Sequence, residues 1–229
     1  MFDTIDRCRF TSAFPYDPEK PHRQPQPSPL PDGFPNHPED WIHEFERFTS
    51  SDGVNELFAQ LWRPRRWQGQ NAHRVLVVFH GQGEHGGRYR HLTHYLKDDI
   101  GAIYALDHRG HGRSTGTRGH VAQFDQYGDD AALSILRLNE YLIERFGKSE
   151  INVLAHSMGG QVFLRAILNH ETLPVRAAAL SSPMFDLAFK VPWVKKIASE
   201  VLLRLTPNLA IPGEKLGPLV SKSGAVTTN

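Results

Sequence analysis

The chain has 229 residues, enough for one globular domain, with 26 basic and 25 acidic side chains and a formal net charge of +1. This balance gives no surface for a polyanion, so nucleic acid is not expected as a partner, and the single cysteine excludes an intramolecular disulfide and a cysteine-based metal site. No apolar run reaches the roughly 18 residues of a membrane helix and no hydrophobic signal core follows Met1, so we expect a soluble, cytoplasmic protein.

Residues 1–40 are predicted to form a proline-rich extension. Nine of the sixteen prolines lie between Pro15 and Pro38, a spacing that prevents helix formation and strand pairing and favours extended polyproline II. Two interpretations of this extension are open. It is a docking motif for a domain that binds proline-rich peptides, or it packs along the surface of the globular part. We favour the second.

From Trp41 onward the pattern is that of an α/β domain, predicted to extend over residues 41–182. Residues 42–48 and 54–62 are predicted to be antiparallel strands joined by a turn at 50–53. Short apolar runs typical of strands buried in a parallel sheet occupy residues 74–79, 101–106, 151–155 and 177–180. Helical patterns lie between these runs: one over 89–97, one that ends near Gly147, and one after Ser157. This alternation predicts a mostly parallel α/β sheet with an antiparallel N-terminal hairpin.

Unusual polar and glycine-rich segments follow three of these strands. They read His-Gly-Gln-Gly-Glu-His from residue 80, Asp-His-Arg-Gly-His-Gly-Arg-Ser from residue 107, and His-Ser-Met-Gly-Gly from residue 156. In an open α/β sheet, ligands bind at the carboxyl ends of the strands. The sequence therefore predicts that these three segments form one site.

The third segment indicates a nucleophilic serine. A serine on a sharp strand-to-helix turn exposes its hydroxyl, and the turn requires small residues two positions before and two positions after it. Here these positions hold Ala155, where glycine is usual, and Gly159. An ester carbonyl attacked by Ser157 needs two N–H donors, for which the backbone amides of Met158 and Gln82 are the candidates.

Together the three segments resemble the monoacylglycerol lipase and lysophospholipase branch of the α/β-hydrolases, often labelled serine aminopeptidase S33-like. The resemblance implies that Ser157 is the nucleophile, that Gln82 and Met158 form the oxyanion hole, and that no cofactor is needed. It also implies a set of residues that brace the site without entering the chemistry: His80, Gly81, Gly83, Glu84, Asp107, His108, His156 and Gly159.

The same resemblance assigns residues 183–229 to the start of a helical cap. Such a cap would form an apolar acyl-chain pocket, with candidate lining residues Val191, Trp193, Ile197, Val201 and Leu202. The implied substrate is an acyl lipid, a lysophospholipid or a monoacylglycerol, and the cap could bring peripheral contact with a membrane.

A complete catalytic triad is not found in the sequence. In this fold the order is serine, then an acid, then histidine, but His170 is the only histidine after Ser157 and it precedes Asp186. His156 adjoins the serine, and its side chain is expected to point away. Two explanations are open. The chain is a fragment that lacks the C-terminal strands carrying the acid and the base, which we favour, or it is a complete gene product that has lost catalysis. The 229 residues alone are therefore expected to hydrolyse esters poorly.

Thirteen histidines invite a metal hypothesis, which we do not favour. The tightest pairs are separated by two residues and lack a ligand-rich loop, so loop-bracing or exposed roles are expected for His91, His94, His108 and His111. A basic cluster next to Trp62 and Trp67 is predicted to be a solvated edge, and it consists of Arg63, Arg65 and Arg66.

Several functional alternatives stay open at this point. The chain could be a non-catalytic binding protein with an α/β-hydrolase fold. Peptidases, thioesterases and haloperoxidases are built on the same fold, and fold alone does not determine function.

Overall fold

The structure, a computed structural model, describes residues 8–10 and 35–185 of the chain. Most of the proline-rich extension and nearly all of the predicted cap lie outside these residues, as do Asp186 and the five predicted cap-lining side chains. The domain boundaries at residues 40 and 182 therefore stay predictions.

In the described part of the chain, six strands form one sheet, in which β1 and β2 are antiparallel and β3, β4, β5 and β6 are parallel to one another. The order across the sheet is β1-β2-β4-β3-β5-β6, with β2 antiparallel to β4 as well. The predicted mostly parallel sheet with an antiparallel N-terminal hairpin is confirmed. The strands are β1 (Trp41–Thr49), β2 (Glu56–Pro64), β3 (Arg74–Phe79), β4 (Ala102–Asp107), β5 (Glu150–His156) and β6 (Val175–Ser181).

The turn between β1 and β2 is longer than predicted. The Ser50 N–H donates to the Asn55 carbonyl over 2.8 Å, and the Gly53 N–H donates to the Ser50 carbonyl over 2.9 Å. Val54, placed in the second strand by the sequence, is instead 79% exposed in this turn. Side chains of the turn itself hold this wider form, since Asp52 accepts the Val54 N–H over 3.2 Å and the Ser50 hydroxyl accepts the Asn55 N–H over 2.9 Å. The Ser51 N–H also donates to the carboxylate of Asp130.

Among residues 35–185, three α-helices follow strands of the sheet: α1 (Leu92–Leu96), α2 (Asp125–Phe146) and α3 (Met158–Asn169). The helix predicted over residues 89–97 is wrong in length, since a 3-10 turn at Gly86–Tyr89 precedes a five-residue α1. The Gly86 N–H donates to the Asp107 carboxylate over 2.7 Å, which fixes this segment to the end of β4. The predicted end of α2 at Gly147 is confirmed: this glycine has φ +70° and donates its N–H to the Ile143 carbonyl.

Apolar side chains cover both faces of the inner strands of the sheet, whereas β6 is largely exposed. Alternate residues of β3 point to opposite sides, so that Val77 packs in the cluster beneath α2 and α3, whereas Val78 packs in the cluster beneath α1. All six residues of β4 are buried, as expected of a central parallel strand. Within residues 8–10 and 35–185, no helix has the length and apolarity needed to cross a membrane.

The basic cluster is only partly the solvated edge that the sequence predicted. Arg65 and Arg66 are exposed. Arg63 instead forms a bidentate ion pair with Glu44, at 2.6 and 2.8 Å, and its guanidinium lies 5.5 Å from the ring centre of Trp67. The pair links β1 to β2, so Arg63 has a structural role.

Residues 8–10 of the N-terminal extension form a docked tripeptide, which binds the domain through Glu46, a residue on β1 with a buried carboxylate. The Cys8 thiol donates to Glu46 Oε1 and the Arg9 N–H donates to Oε2, both over 3.3 Å. The Tyr104 hydroxyl also donates to Oε1, over 2.7 Å, and Arg137 pairs with Oε2. Burial and the charge of Glu46 raise the pKa of the Cys8 thiol well above its usual value.

We expect the Cys8 thiol to report on this docking. The thiolate is the reactive form, so the native chain should react with Ellman's reagent at least about tenfold more slowly than the chain in urea. Phe10→Ala should accelerate the native reaction, because the Phe10 ring packs edge-on against Tyr141 at 5.1 Å. Equal rates in the native and unfolded chains would contradict a docked tripeptide, and Cys8 is the only thiol that can contribute.

Candidate functional site

Ser157 lies at the turn between β5 and α3 in a backbone conformation that non-glycine residues rarely adopt. Its φ is +51° and its ψ is −116°. The conformation is held on both sides: the Ser157 N–H donates to the Ser181 carbonyl, and the Ser157 carbonyl accepts the N–H groups of Gly160 and Met184, each over 3.0 Å. The structure thus shows the strained strand-to-helix turn that the sequence predicts for a nucleophile.

Gly159 allows α3 to begin directly against the end of β3. A Cβ at this position would lie 2.2 Å from the carbonyl oxygen of Phe79 and 2.8 Å from that of His80. Only glycine therefore permits this approach. Because α3 starts here, Ser157 and the amide of Met158, the first residue of the helix, lie beside the loop that leaves β3.

That loop forms a tight turn at residues 81–84. The Glu84 N–H donates to the Gly81 carbonyl over 3.3 Å, and Gly83 has φ +74°. A Cβ on Gly81 would lie 3.2 Å from the Cβ of Ser157, so the backbone of the turn runs close beside the serine. Gln82 is exposed in the middle of the turn, whereas Gly81 is buried.

The carboxylate of Glu84 gathers three donors around this turn. It accepts the Tyr89 hydroxyl over 2.9 Å and the Gly81 N–H over 3.3 Å, and Arg88 lies 3.3 Å away. Burial and the negative charge of Glu84 raise the pKa of Tyr89 above its ordinary value. The sequence analysis assigned no role to Arg88 or Tyr89, although the spacing of four residues from Glu84 to Arg88 is that of a helical ion pair.

Asp107 fixes the loop that follows β4. Its carboxylate accepts the Gly86 N–H at 2.7 Å and the Arg113 N–H at 2.8 Å. Burial raises the pKa of Asp107, and these two hydrogen bonds oppose the increase. The side chain faces backbone amides, and its bracing role stays a prediction.

His80 and His108 lie beneath the site and are completely buried. Their ring centres are 4.3 Å apart, and the His111 ring lies 5.4 Å from that of His80. Burial lowers the pKa of His108 to about 3, which keeps its ring neutral. Among the residues the structure describes, no group of three or more histidine, cysteine, aspartate or glutamate side chains is arranged to hold a metal ion.

Arg109 joins the β4 loop to two other elements, a role that the sequence analysis did not find. Its guanidinium binds both carboxylate oxygens of Asp130 in α2, at 2.6 and 2.8 Å, and it binds Asp52 in the hairpin turn at 2.6 Å. Arg109 is 4% exposed and Asp130 is 1% exposed. Burial alone would raise the pKa of Asp52, but hydrogen bonds from Arg109 and Ser50 lower it to about 2.

His156 and His170, the two histidines considered as the general base, both contact groups other than the Ser157 hydroxyl. The Nδ1 atom of His156 lies 3.1 Å from the Ser181 carbonyl oxygen. His170 lies at the far end of α3, and its Nε2 atom is 2.9 Å from Asp129. At about 1.5 Å per residue, the twelve residues of α3 separate His170 from Ser157 by roughly 18 Å. Within the described part of the chain, no histidine ring forms a hydrogen bond with the Ser157 hydroxyl.

A cavity of about 320 Å³ opens beside the turn that carries Ser157. It combines polar walls with an apolar part, and it is lined by Glu84, Arg88, Tyr89, His91, Leu92, Leu154, His156 and Ser181. Its size is at the lower end of the range typical of small-molecule sites.

The fold and the site together define an α/β-hydrolase. A solved peroxisomal α/β-hydrolase from Saccharomyces cerevisiae superposes with a TM-score of 0.51 over 68% of this chain and 48% of its own, at 18% sequence identity. The family model described as "Serine aminopeptidase, S33" matches residues 70–228. The chain belongs to this family, which confirms the resemblance inferred from the three segments.

Two curated relatives extend the comparison. The human monoglyceride lipase is 29% identical over 209 residues, which cover 88% of this chain and 58% of the relative. A phospholipase from Bacillus subtilis (strain 168) is 28% identical over 145 residues, which cover 63% of this chain and 54% of the relative. The chain thus spans little more than half the length of these two relatives.

Proposed function

We propose that this chain carries the nucleophile of a serine ester hydrolase that acts on acyl lipids. The observation that carries the proposal is the strained backbone of Ser157, at φ +51°, between a buried strand and the first turn of α3. Strain of this kind persists only where the surrounding structure enforces it, and it is concentrated at functional sites.

In the proposed reaction, the Ser157 hydroxyl oxygen attacks the ester carbonyl and forms an acyl-enzyme. The N–H groups of Met158 and Gln82 hold the negative oxygen that develops, with support from the N-terminal end of α3. The alcohol leaves with a proton, and water then releases the fatty acid. We assign the general base to none of the described residues, because His156 faces Ser181 and His170 pairs with Asp129.

The proposed substrate class rests on the cavity and on the relatives. Charged and hydroxyl groups from Glu84, Arg88 and Tyr89 suit the polar end of an amphiphilic ester, while Leu92 and Leu154 provide an apolar wall. The relatives named monoglyceride lipase and phospholipase both indicate a glycerol-based acyl lipid. An acyl-chain pocket and a membrane contact in the cap stay predictions, since these residues lie outside the described part.

Labelling with a fluorophosphonate probe tests the proposal. We expect the protein encoded by the natural gene to react with one probe molecule at Ser157, and the Ser157→Ala variant to react with none. Turnover of a p-nitrophenyl ester by this variant should be reduced at least about 10³-fold. The control is Thr172→Ala, which removes an exposed hydroxyl outside the site and should leave labelling unchanged.

The outcomes separate the alternatives. Labelling that persists in Ser157→Ala would assign the nucleophile to another residue. A folded protein that takes up no probe but binds a monoacylglycerol would be the non-catalytic binding protein considered above. For the isolated 229 residues, we expect weak turnover.

A further inference from the structure

The hydrogen bonds of His80 define which of its ring nitrogens carries the proton. The ring is completely buried; its Nδ1 atom lies 2.8 Å from the Gly81 carbonyl oxygen and its Nε2 atom accepts the His108 N–H over 3.1 Å. A carbonyl oxygen can only accept and a backbone N–H can only donate. Nδ1 must therefore carry the proton while Nε2 carries none.

The surroundings keep the ring in this neutral form. Burial lowers the pKa of His80 well below its usual value, and the adjacent rings of His108 and His111 oppose a second proton. A proton on Nε2 would also face the His108 N–H and remove that hydrogen bond. The hydrogen bonds at Nδ1 and at Nε2 thus both require the same tautomer.

The Gly81 carbonyl held by His80 belongs to the peptide unit that contains the Gln82 N–H. A trans peptide is planar, and its N–H points in the direction opposite to its C=O. The Gly81 carbonyl accepts the Nδ1–H of His80 over 2.8 Å and the Glu84 N–H over 3.3 Å, so it points to one side of the turn. The Gln82 N–H must then point to the other side.

We propose that His80 is a positioning residue whose Nδ1–H tautomer orients the Gly81–Gln82 peptide and so aims the Gln82 N–H at the substrate carbonyl oxygen. Its Nε2 atom fixes the ring to the His108 amide in the loop after β4. His80 would act on the oxyanion through the peptide plane, without touching the substrate. This inference rests on the proposed function of the site, but its structural part can be measured independently of activity.

Two substitutions separate the two nitrogens of the ring. His80→Asn places an amide N–H near the position of Nδ1 and keeps a donor to the Gly81 carbonyl, whereas His80→Gln places its amide near Nε2 and loses that donor. With a p-nitrophenyl ester and the natural gene product, we expect kcat to fall at least about tenfold in His80→Gln and less in His80→Asn, which keeps the donor to the Gly81 carbonyl but loses the acceptor for the His108 N–H, with KM unchanged in both.

Nuclear magnetic resonance supplies the readout that does not depend on activity. In protein labelled with ¹⁵N, His80 should show a protonated Nδ1 and an unprotonated Nε2, and the Gln82 amide resonance should shift further in His80→Gln than in His80→Asn, since only His80→Asn keeps a donor to the Gly81 carbonyl. A protonated Nε2 in the wild type, or a Gln82 amide that shifts equally in the two folded variants, overturns the proposal. If the wild type shows this tautomer but no esterase activity, the proposed function fails while the orientation of the peptide stands. If His80→Gln does not fold, the wild-type tautomer still decides.

Discussion

Gly159→Ala is expected to lower the free energy of unfolding by at least about 3 kcal/mol, an extreme case of overpacking. The added Cβ would lie 2.2 Å from the Phe79 carbonyl oxygen, a backbone atom in the buried strand β3 that cannot move aside. Alanine is a better helix former than glycine by about 1 kcal/mol, so any loss must come from this collision. The shift of α3 away from β3 would also displace Ser157, and probe labelling should decrease with stability.

Urea denaturation measures this loss, and Gly147→Ala is the matched control. Gly147 has φ +70° with no heavy atom within 4 Å of an added Cβ, so alanine there costs only backbone strain of about 1–2 kcal/mol. A Gly159→Ala protein as stable as the wild type would show that α3 does not approach β3 as closely as the structure indicates.

Arg109→Met is expected to destabilise the chain by about 3–5 kcal/mol, the cost of breaking a buried ion pair on one side. Methionine retains much of the volume but leaves the 1% exposed carboxylate of Asp130 without its cation. The control is Arg165→Met: Arg165 pairs with Asp125 at 3.2 Å, but both side chains are about half exposed, so we expect a loss of about 0–1 kcal/mol. Equal losses in the two variants would rule out the assigned role of Arg109.

The Arg109 network also predicts a dependence on acid. The pKa of Asp52 is lowered from 3.8 to about 2 in the folded chain, so its stabilising contribution is complete above about pH 5 and is lost as the pH falls through the folded pKa near 2. This part of the acid sensitivity should be weaker in Arg109→Met, since the hydrogen bond from Arg109 is a main cause of the lowered pKa. Urea midpoints of the wild type and the variant between pH 2 and 5 provide the measurement.

The features that the sequence predicts well depend on residues close together in the chain. The run over residues 74–79 matches β3, and the serine turn follows from the small residues Ala155 and Gly159 around Ser157. Such patterns constrain the backbone locally and can be recognised from one sequence. The error in β2 lies in the turn before it, where the Val54 N–H donates to the Asp52 carboxylate and the Ser51 N–H donates to the distant Asp130.

The buried polar networks could not be predicted for the same reason. Arg109 binds partners 21 and 57 residues away, and Glu46 collects donors from Cys8, Tyr104 and Arg137 at separations of 38, 58 and 91 residues. No local periodicity encodes these pairings, which become visible only when the sheet has brought the strands together. The tautomer of His80 belongs to the same class, because it depends on the amide of His108.

The strand order β1-β2-β4-β3-β5-β6 has a consequence for how this chain could acquire different chemistry. The chain leaves β3 for β4 on one side and later crosses to β5 on the other, so the loops after these strands diverge and a crevice opens at the end of β3. The location of the site is thus a property of topology, and it does not depend on any single catalytic side chain. Substitutions confined to three loops would therefore alter the proposed reaction while the six strands, and the stability they provide, remain as they are.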